Sequence, residues 1–437
     1  MAKNKNDEIL HDHNHDGVDR RGFLKCMAWA GTGALCVMEG GILKSYSLSR
    51  LGEIGAREMA GELSFVQISD SHMGFNKPAN PDVTGTLKSA VEKINGLSKA
   101  PEFMLHTGDI SHVSKPEEFD TVDQILKSAT AKDVFFVPGE HDVATDNGAS
   151  YLERYGAGSG KPLAGSRGWY SFDHSGVHFI ALVNVLNLKA GGLGSLGADQ
   201  LEWMEKDVKH LSASTPIVVF AHVPLWTVYP EWGWGTDDGA RALGYLKRFG
   251  SVTVLNGHIH QTMQKVEGNV SFHTALSTAF PQPRPGTAPA PGPMVVPAGH
   301  LSDVLGIREV RYLRHHNHLA IVDRTLSGGD PAPIMAQGEA AARASASAAP
   351  AQAAVNDQIT IANFAFTPKA LTVAAGKTVT WVNRDDTAHR IKSANGQFAS
   401  SPVLDTRASF PATFAKAGEY PYFCSIHPTM TGKIIVT

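Results

Sequence analysis

Five short stretches in a fixed order constrain this chain most: Asp70-Ser71-His72, Gly108-Asp109, Gly139-Glu140-His141-Asp142, Ala221-His222 and Gly257-His258-Ile259-His260. Each closes an apolar run of β type, at 63–69, 103–107, 134–137, 217–221 and 252–256. Segments of helical period at 83–97, 116–128, 197–211 and 238–249 separate the runs. The alternation predicts an α/β fold with buried strands. A motif at the C-terminal end of each strand lies where such sheets gather their ligands. Residues 169–173 and 177–184, split by His174-Ser175-Gly176, predict a hairpin that adds antiparallel strands, so the fold is not plainly doubly wound.

The gathered side chains are carboxylates and imidazoles, the donors that hold a pair of hydrolytic metal ions. Phosphate esters resist hydrolysis because nucleophile and ester are both electron-rich. Two cations about 3.5–4 Å apart relieve that by binding an ester oxygen, generating a hydroxide and neutralising developing charge.

The order and spacing of the five stretches resemble those of the calcineurin-like metallophosphoesterases, especially their class III, cyclic-nucleotide-phosphodiesterase-like branch, over roughly 62–324. The resemblance implies an αββα sandwich and in-line attack by a metal-bridging hydroxide on a small phosphate mono- or diester. It implies that Asp70, His72 and His260 hold one ion, that Asp109 bridges, and that His222, His258 and position 140 hold the second. The ions expected are divalent or mixed-valence, Fe, Mn or Zn. His141 would assist catalysis by touching the phosphoryl oxygen or protonating the leaving group, with Asp142 orienting its ring. One position departs from the pattern, since Glu140 stands where the family has Asn. Three carboxylates against two divalent ions leave a formal charge of about +1, which weakens attraction for a phosphate dianion.

A second donor set closes the chain: Cys424-x-x-His427-x-x-Met430 follows the aromatic run Tyr420-Pro421-Tyr422-Phe423, with His389 upstream. Thiolate and thioether ligands suit copper better than magnesium or manganese. Short alternating runs from 359 to 437, separated by Gly-containing turns, predict a small β-sandwich. The layout is similar to that of the cupredoxins, with the short ligand spacing of amicyanin, and implies an all-β Greek-key fold holding one type 1 copper ion. Residues 327–356, rich in Ala, Ser and Pro, have little to bury and read as a linker whose reach is roughly 30 Å. The expected organisation is a leader at 1–47, a phosphoesterase domain at 60–326, the linker, and a cupredoxin domain at 357–437.

Asp19-Arg20-Arg21-Gly22-Phe23-Leu24-Lys25, followed by a weakly apolar run, resembles a twin-arginine export signal. It implies a periplasmic or other extracytoplasmic protein, with no membrane span once the leader is removed. His11, His13 and His15 precede that signal and read as a solvated polar leader. Cys26 and Cys36 fall in the leader, so Cys424 would be the mature chain's lone thiol, and a metal ion is its natural occupant. A formal charge of −3 supplies no general field for nucleic acid.

Trp226, Tyr229, Trp232 and Trp234 either wall the site or pack an ordinary loop, and His112 is a further candidate to face substrate. His315, His316 and His318 read as exposed, and His106, His174, His178, His210, His273 and His300 carry no assignment. Two function classes follow. One is an exported binuclear phosphoesterase tethered to a copper domain. The other is a copper electron-transfer or copper-sensing protein, with its own redox partner, whose phosphoesterase fold is a weakly active or inactive scaffold.

Overall fold

Each sheet buries two apolar faces only if something covers both of them, and here the second sheet covers one and helices the other. The computed structural model describes residues 34–39, 42–47, 63–131, 133–156, 167–313, 318–329 and 357–437. Strands β1 (Ala34–Glu39) and β2 (Ile42–Ser47) pair antiparallel within the span read as leader. Arg20, Arg21, the His11, His13 and His15 tract, Cys26, His315, His316 and most of the linker lie outside the described residues.

Strands β3 (Leu63–Ile68), β4 (Phe103–His106) and β5 (Asp133–Phe136) run parallel. A second sheet holds β6 (Tyr170–His174), β7 (Val177–Ala181), β8 (Ile217–Ala221), β9 (Val252–Asn256), β10 (Met263–Glu267) and β11 (Val270–Thr274), in the order β10-β11-β9-β8-β7-β6. The expected hairpin is β6 and β7, paired antiparallel from Tyr170–Ala181 to His174–Val177. Strands β12 (Gly306–Leu313) and β13 (His318–Thr325) then return to the first sheet, giving β13-β12-β3-β4-β5.

Helices α1 (Val83–Asn95), α2 (Pro116–Leu126) and α3 (Ala149–Tyr155) share one core with the outer face of the first sheet. Helices α4 (Ala198–Val208) and α5 (Gly239–Leu246) share another with the second. α1 starts where the Asp82 carboxylate accepts from the Gly85 N–H at 2.8 Å, and it buries Val83, Leu87, Ala90, Val91 and Ile94, one helical face. Phe65, Phe103, Phe179, Phe220, Leu255 and Val310 fill the space between the sheets. The result is the αββα sandwich, with every C-terminal strand end of the parallel blocks facing one edge. Phe179 stacks on Phe172 at 4.8 Å between ring centroids and meets Phe65 and Phe103 edge-on. Phe179→Ala therefore costs about 3–5 kcal/mol through lost transfer energy and an unfilled cavity. Thermal unfolding followed by circular dichroism checks this, and a loss under about 1 kcal/mol would contradict the packing.

The C-terminal unit is a β-sandwich of β14 (Gln358–Ala362), β15 (Ala365–Thr367), β16 (Ala370–Val373), β17 (Lys377–Asn383), β18 (Ile391–Ser393), β19 (Ser409–Phe414), β20 (Gly418–Cys424) and β21 (Thr431–Val436). Its sheets run β15-β14-β17-β19 and β16-β21-β20-β18 and enclose Ile359, Ile361, Val379, Trp381, Ile391 and Ile434. No described helix is long and apolar enough to cross a membrane.

The sandwich sits against the first domain at the edge where the five motifs gather. Val113 and Ala144 pack into the sandwich's own core. Arg390 Nη1 donates to the Ala144 carbonyl at 2.8 Å, the Gly191 N–H to the Pro428 carbonyl at 2.5 Å, and Lys77 Nζ pairs with Asp405 at 3.2 Å. The linker permits such docking without requiring it, and these apolar and polar contacts define the face used.

Candidate metal centres

The strand-end loops hold their donors in backbone conformations that ordinary residues avoid. Asp70, His72, Asp109, His258 and His260 all have positive φ, between 40° and 72°. Each such residue costs about 1–3 kcal/mol, a strain that persists where function requires the placement. The glycines of the motifs make room for these loops. Gly108 has φ 92°, and a Cβ there would lie 2.5 Å from His222 Nδ1, while a Cβ on Gly139 would lie 2.0 Å from Asp109 Oδ1.

Two donor clusters result, with one carboxylate between them. In the first, His72 Nε2 lies 3.2 Å from His260 Nε2, which lies 3.2 Å from Asp70 Oδ1. In the second, Glu140 Oε2 lies 3.1 Å from His222 Nε2, and Oε1 lies 3.0 Å from His258 Nδ1. Asp109 Oδ2 stands 3.5 Å from His72 Nε2 and 3.3 Å from His222 Nε2, between the clusters.

The tautomers of two histidines are set from outside. His222 Nδ1 is 2.7 Å from the Thr107 carbonyl and His260 Nδ1 is 2.6 Å from the Phe280 carbonyl. A carbonyl only accepts, so each Nδ1 carries the proton and in the neutral ring Nε2 turns a lone pair inward. A carboxylate oxygen lies opposite each Nε2, an arrangement that needs a proton or a metal ion between them; burial opposes charge on His222, but Asp109 and Glu140 raise its pKa well above 6.5. Glu140 Oε2, His222 Nε2 and both ring nitrogens of His258 are also buried without a hydrogen bond. Burial opposes charge on Glu140 and Asp70, yet His258 and His222 hold Glu140 well below the ordinary range, and His260 and His222 hold Asp70 below it. Burial, then His141 and His260, push His72 well below 6.5 and keep it neutral. Carboxylates and imidazoles around orphaned donor atoms fit two divalent ions.

His141 stands beside this centre. Its Nδ1 lies 2.7 Å from the His112 carbonyl, its N–H donates to Asp109 Oδ1 at 3.0 Å, and its ring is 4.7 Å from that of His72. Asp142 does not orient the His141 ring, contrary to the expectation from the sequence. Its carboxylate turns back under the loop and accepts from the N–H groups of Ile110, Ser111 and Gly139 at 3.1, 2.8 and 2.9 Å, and from Ser111 Oγ. The imidazole is anchored by a main-chain carbonyl instead, and Asp142 ties the second and third motifs together. Burial and the nearby Asp109 push the Asp142 carboxyl up to about 7.

The remaining candidates divide. Tyr229 and Trp232 line a cavity beside Glu140 and His258, Trp234 lies mostly in the core, and Trp226 packs on Phe272 at 4.9 Å, away from the centre. His112 is buried, its ring stacked on His141 at 5.1 Å. His106 contacts Ser71 Oγ at 2.9 Å and burial lowers it to about 3, which marks a structural group. His174 pairs with Glu102, His178 with Asp173 and Asp207, and His300 with Asp303.

The sandwich assembles its own donor set. Cys424 Sγ lies 3.6 Å from His389 Nδ1 and 3.7 Å from His427 Nδ1, and the two Nδ1 atoms are 3.3 Å apart. The centre of a triangle with such edges is about 2 Å from each corner, close to a metal–nitrogen or metal–sulfur bond length. Met430 is buried in the same turn, its carbonyl accepting from the Cys424 N–H at 3.0 Å. Asp385, not singled out in the sequence although it lies one helical-turn spacing before His389, takes a hydrogen bond from His389 Nε2 at 2.9 Å. That bond fixes the ring and leaves Nδ1 for the cluster. Burial opposes the thiolate, but the His389 imidazole lowers the Cys424 pKa below its ordinary value.

Two folds and two donor sets therefore share this chain, carboxylates and imidazoles at the strand ends of an αββα sandwich and a thiol with two imidazoles in a β-sandwich. Residues 63–262 match the family model of the calcineurin-like phosphoesterases, and residues 338–436 match that of the cupredoxin-like domains. The chain joins a calcineurin-like phosphoesterase domain to a cupredoxin-like domain. It is 24% identical over 224 residues to the 3',5'-cyclic-nucleotide phosphodiesterase alr5338 of Nostoc sp., covering 50% of this chain and 79% of that protein. It is 33% identical over 82 residues to the amicyanin of Paracoccus denitrificans, covering 18% of this chain and 63% of the amicyanin. A solved purple cupredoxin from Nitrosopumilus maritimus is 35% identical, covering 19% of this chain and all of that one, with a TM-score of 0.18. Divalent metals and copper are the ions these two domain families imply.

Proposed function

We propose that the phosphoesterase domain hydrolyses small phosphate mono- or diesters at a binuclear centre, outside the cytoplasm, while the tethered sandwich holds one type 1 copper ion. Asp70, His72 and His260 would hold one Fe, Mn or Zn ion, Glu140, His222 and His258 the other, and Asp109 both. Two such ions supply charge neutralisation at the phosphoryl oxygens and acidify water. The chain's own contribution comes from His141. With Nδ1–H donating to the His112 carbonyl, the doubly protonated ring has Nε2–H left to donate to the phosphoryl oxygen or to protonate the leaving oxygen as it departs. The Asp142 carboxylate keeps the loop of His141 fixed to the loop of Asp109.

The observation that carries this reading is the position of Asp109 Oδ2, within 3.5 Å of a histidine nitrogen from each cluster. Similarity to a phosphodiesterase supports the reaction class. His389, Cys424, His427 and Met430 would bind the copper, and a redox protein would be its partner. The Arg20-Arg21 pattern supports export to the periplasm through the twin-arginine pathway.

Element quantification on the purified full chain, paired with turnover of an aryl phosphate monoester and diester, tests the reading. About two Fe, Mn or Zn ions and one copper per chain are expected, with turnover lost to a chelator and restored by added Mn(II) or Fe(II). Copper without turnover would instead support the scaffold alternative.

A further inference from the structure

The mouth of the phosphoesterase centre does not open to bulk solvent along the whole of its edge, because the sandwich closes one side. A cavity of about 350 Å³ lies between the domains. Glu140 and His258 form its floor, Tyr229, Glu231 and Trp232 one wall, and Phe364, His427 and Thr429 of the sandwich the other. A smaller space of about 40 Å³ continues inward to His72, Asp109 and His141, still bounded by Phe364, His427 and Trp232. The rings of His141 and His427 are 5.8 Å apart, so the two donor sets share this chamber.

Phe364 reaches the chamber at a backbone cost. It and Asn363 both have φ near 53°, a conformation that a bulky side chain rarely adopts. One carboxylate holds the pair: Asp385 accepts from the N–H of Asn363 at 2.5 Å and of Phe364 at 3.0 Å. The same Asp385 orients His389, so the loop that aims Phe364 is fixed by the residue that aims a copper ligand. The Phe364 ring lies 4.8 Å from that of His427 and 5.5 Å from that of His389. Opposite, Gly292 comes so close that a Cβ there would lie 2.6 Å from Phe364 Cε2.

None of the described residues lining either space is Lys or Arg, and Glu231 adds negative charge. Among the described residues, ions at the floor and protons on the site histidines are then the positive charge available to a phosphoryl group. The walls offer aromatic and apolar faces to what the phosphorus carries, and no described Lys or Arg for a further anionic group.

We propose that the 363–365 and 426–429 loops of the cupredoxin domain build the substituent subsite of the phosphoesterase centre, with Phe364 and His427 packing against a flat, uncharged substituent of a bound phosphodiester. The inference rests on the phosphoester reading above and adds that the copper domain is part of the substrate site. A substituent resting on His427 alters the surroundings of a copper ligand, so ligand occupancy and the copper site are linked, and by reciprocity each senses the other.

The experiment uses the full chain loaded with Mn(II) and copper. Bis(4-nitrophenyl) phosphate and methyl 4-nitrophenyl phosphate share a leaving group and differ only in the retained substituent. The aryl ester is expected to have a KM about tenfold lower, and Phe364→Ala to bring the two KM values together, since an aryl face gains far more than a methyl from an apolar wall. Phe364→Leu keeps apolar bulk and is expected to fall between. Retained visible copper absorption reports a folded sandwich in both variants. Independently of turnover, diphenyl phosphate is expected to shift the visible copper band, whereas inorganic phosphate, which carries no substituent, leaves it in place. Should both esters be hydrolysed with a KM ratio that Phe364→Ala does not change, and diphenyl phosphate inhibit without moving the band, the subsite is overturned while the phosphoesterase reading stands. Neither turnover nor anion binding would overturn both.

Discussion

Asp109→Ala is expected to lower hydrolysis at least about 10³-fold, or about 4 kcal/mol of barrier, while the protein keeps its visible copper absorption. The magnitude follows from where the carboxylate stands. Oδ2 is the oxygen between the two clusters, and Oδ1 accepts from the His141 N–H at 3.0 Å. Alanine would leave two ions without their shared anion and loosen the loop that carries the proton donor. Binding geometry and acid assistance would fail together, and such losses are not additive. The copper donors are held from within the sandwich, His389 by Asp385 and Cys424 and His427 by the turn at 424–430, so they keep their positions. Steady-state assays on an aryl diester and a visible spectrum of the same sample measure both halves. Hydrolysis retained within about tenfold would remove the bridging role, and a lost copper band would mean that the sandwich depends on the other domain for its shape.

The α/β framework was legible in the sequence because its signals are local. Apolar runs end in motifs, and amphipathic helices such as α1 separate them. The site was legible for a related reason, since Asp70, Asp109, His222 and His258 each follow a buried strand or its glycine, and parallel strands carry their ends to one edge. What escaped depends on direction rather than position. Asp142 adjoins His141 in the chain, but the tight loop turns its carboxylate toward the Gly139, Ile110 and Ser111 amides, while the ring meets the His112 carbonyl. Backbone carbonyls carry no sequence signature, so neither the His112 nor the Phe280 anchor could be read in advance. α3 also escaped, being a single short helix, Ala149–Tyr155, that starts at Gly148 rather than at a residue with a capping side chain.

Domain docking was the larger omission, and its physical reason is the linker. A flexible tether fixes reach and leaves orientation open. The docking is specified by Val113, Ala144, Arg390 and Pro428, which in one dimension are indistinguishable from ordinary loop residues. The same blindness applied to the aromatic loop, where Tyr229 and Trp232 face the interdomain cavity and Trp226 turns to Phe272. A cluster whose ligands come from five strand ends is robust to such ambiguity. A cavity made by two domains is not, because each contributes surface that has no meaning until the other is in place.

Glu140→Asn is expected to raise the ratio of monoester to diester turnover about ten- to hundredfold and to shift the bound metals toward purely divalent pairs. Glu140 spans the second cluster, with one oxygen 3.1 Å from His222 Nε2 and the other 3.0 Å from His258 Nδ1, and the flanking imidazoles favour its ionised form over the cost of burial. A third carboxylate at a two-ion centre removes one unit of positive charge from the place where the phosphoryl group must bind. One charge about 5 Å from another, at an effective dielectric near 20, is worth about 3 kcal/mol. A monoester dianion carries one more unit of charge than a diester monoanion, so that energy falls mainly on the monoester. Solvent at the mouth of the chamber screens part of it, which sets the lower bound at tenfold. Asparagine keeps an oxygen donor of shorter reach and restores the missing positive charge. The same electrostatics favour a trivalent ion in the native centre, because a more highly charged cation best offsets three carboxylates. Kinetics on a matched aryl monoester and diester, together with element analysis of both proteins, provide the measurement. An unchanged ratio with an unchanged metal content would mean that Glu140 acts only as a spacer between two histidines.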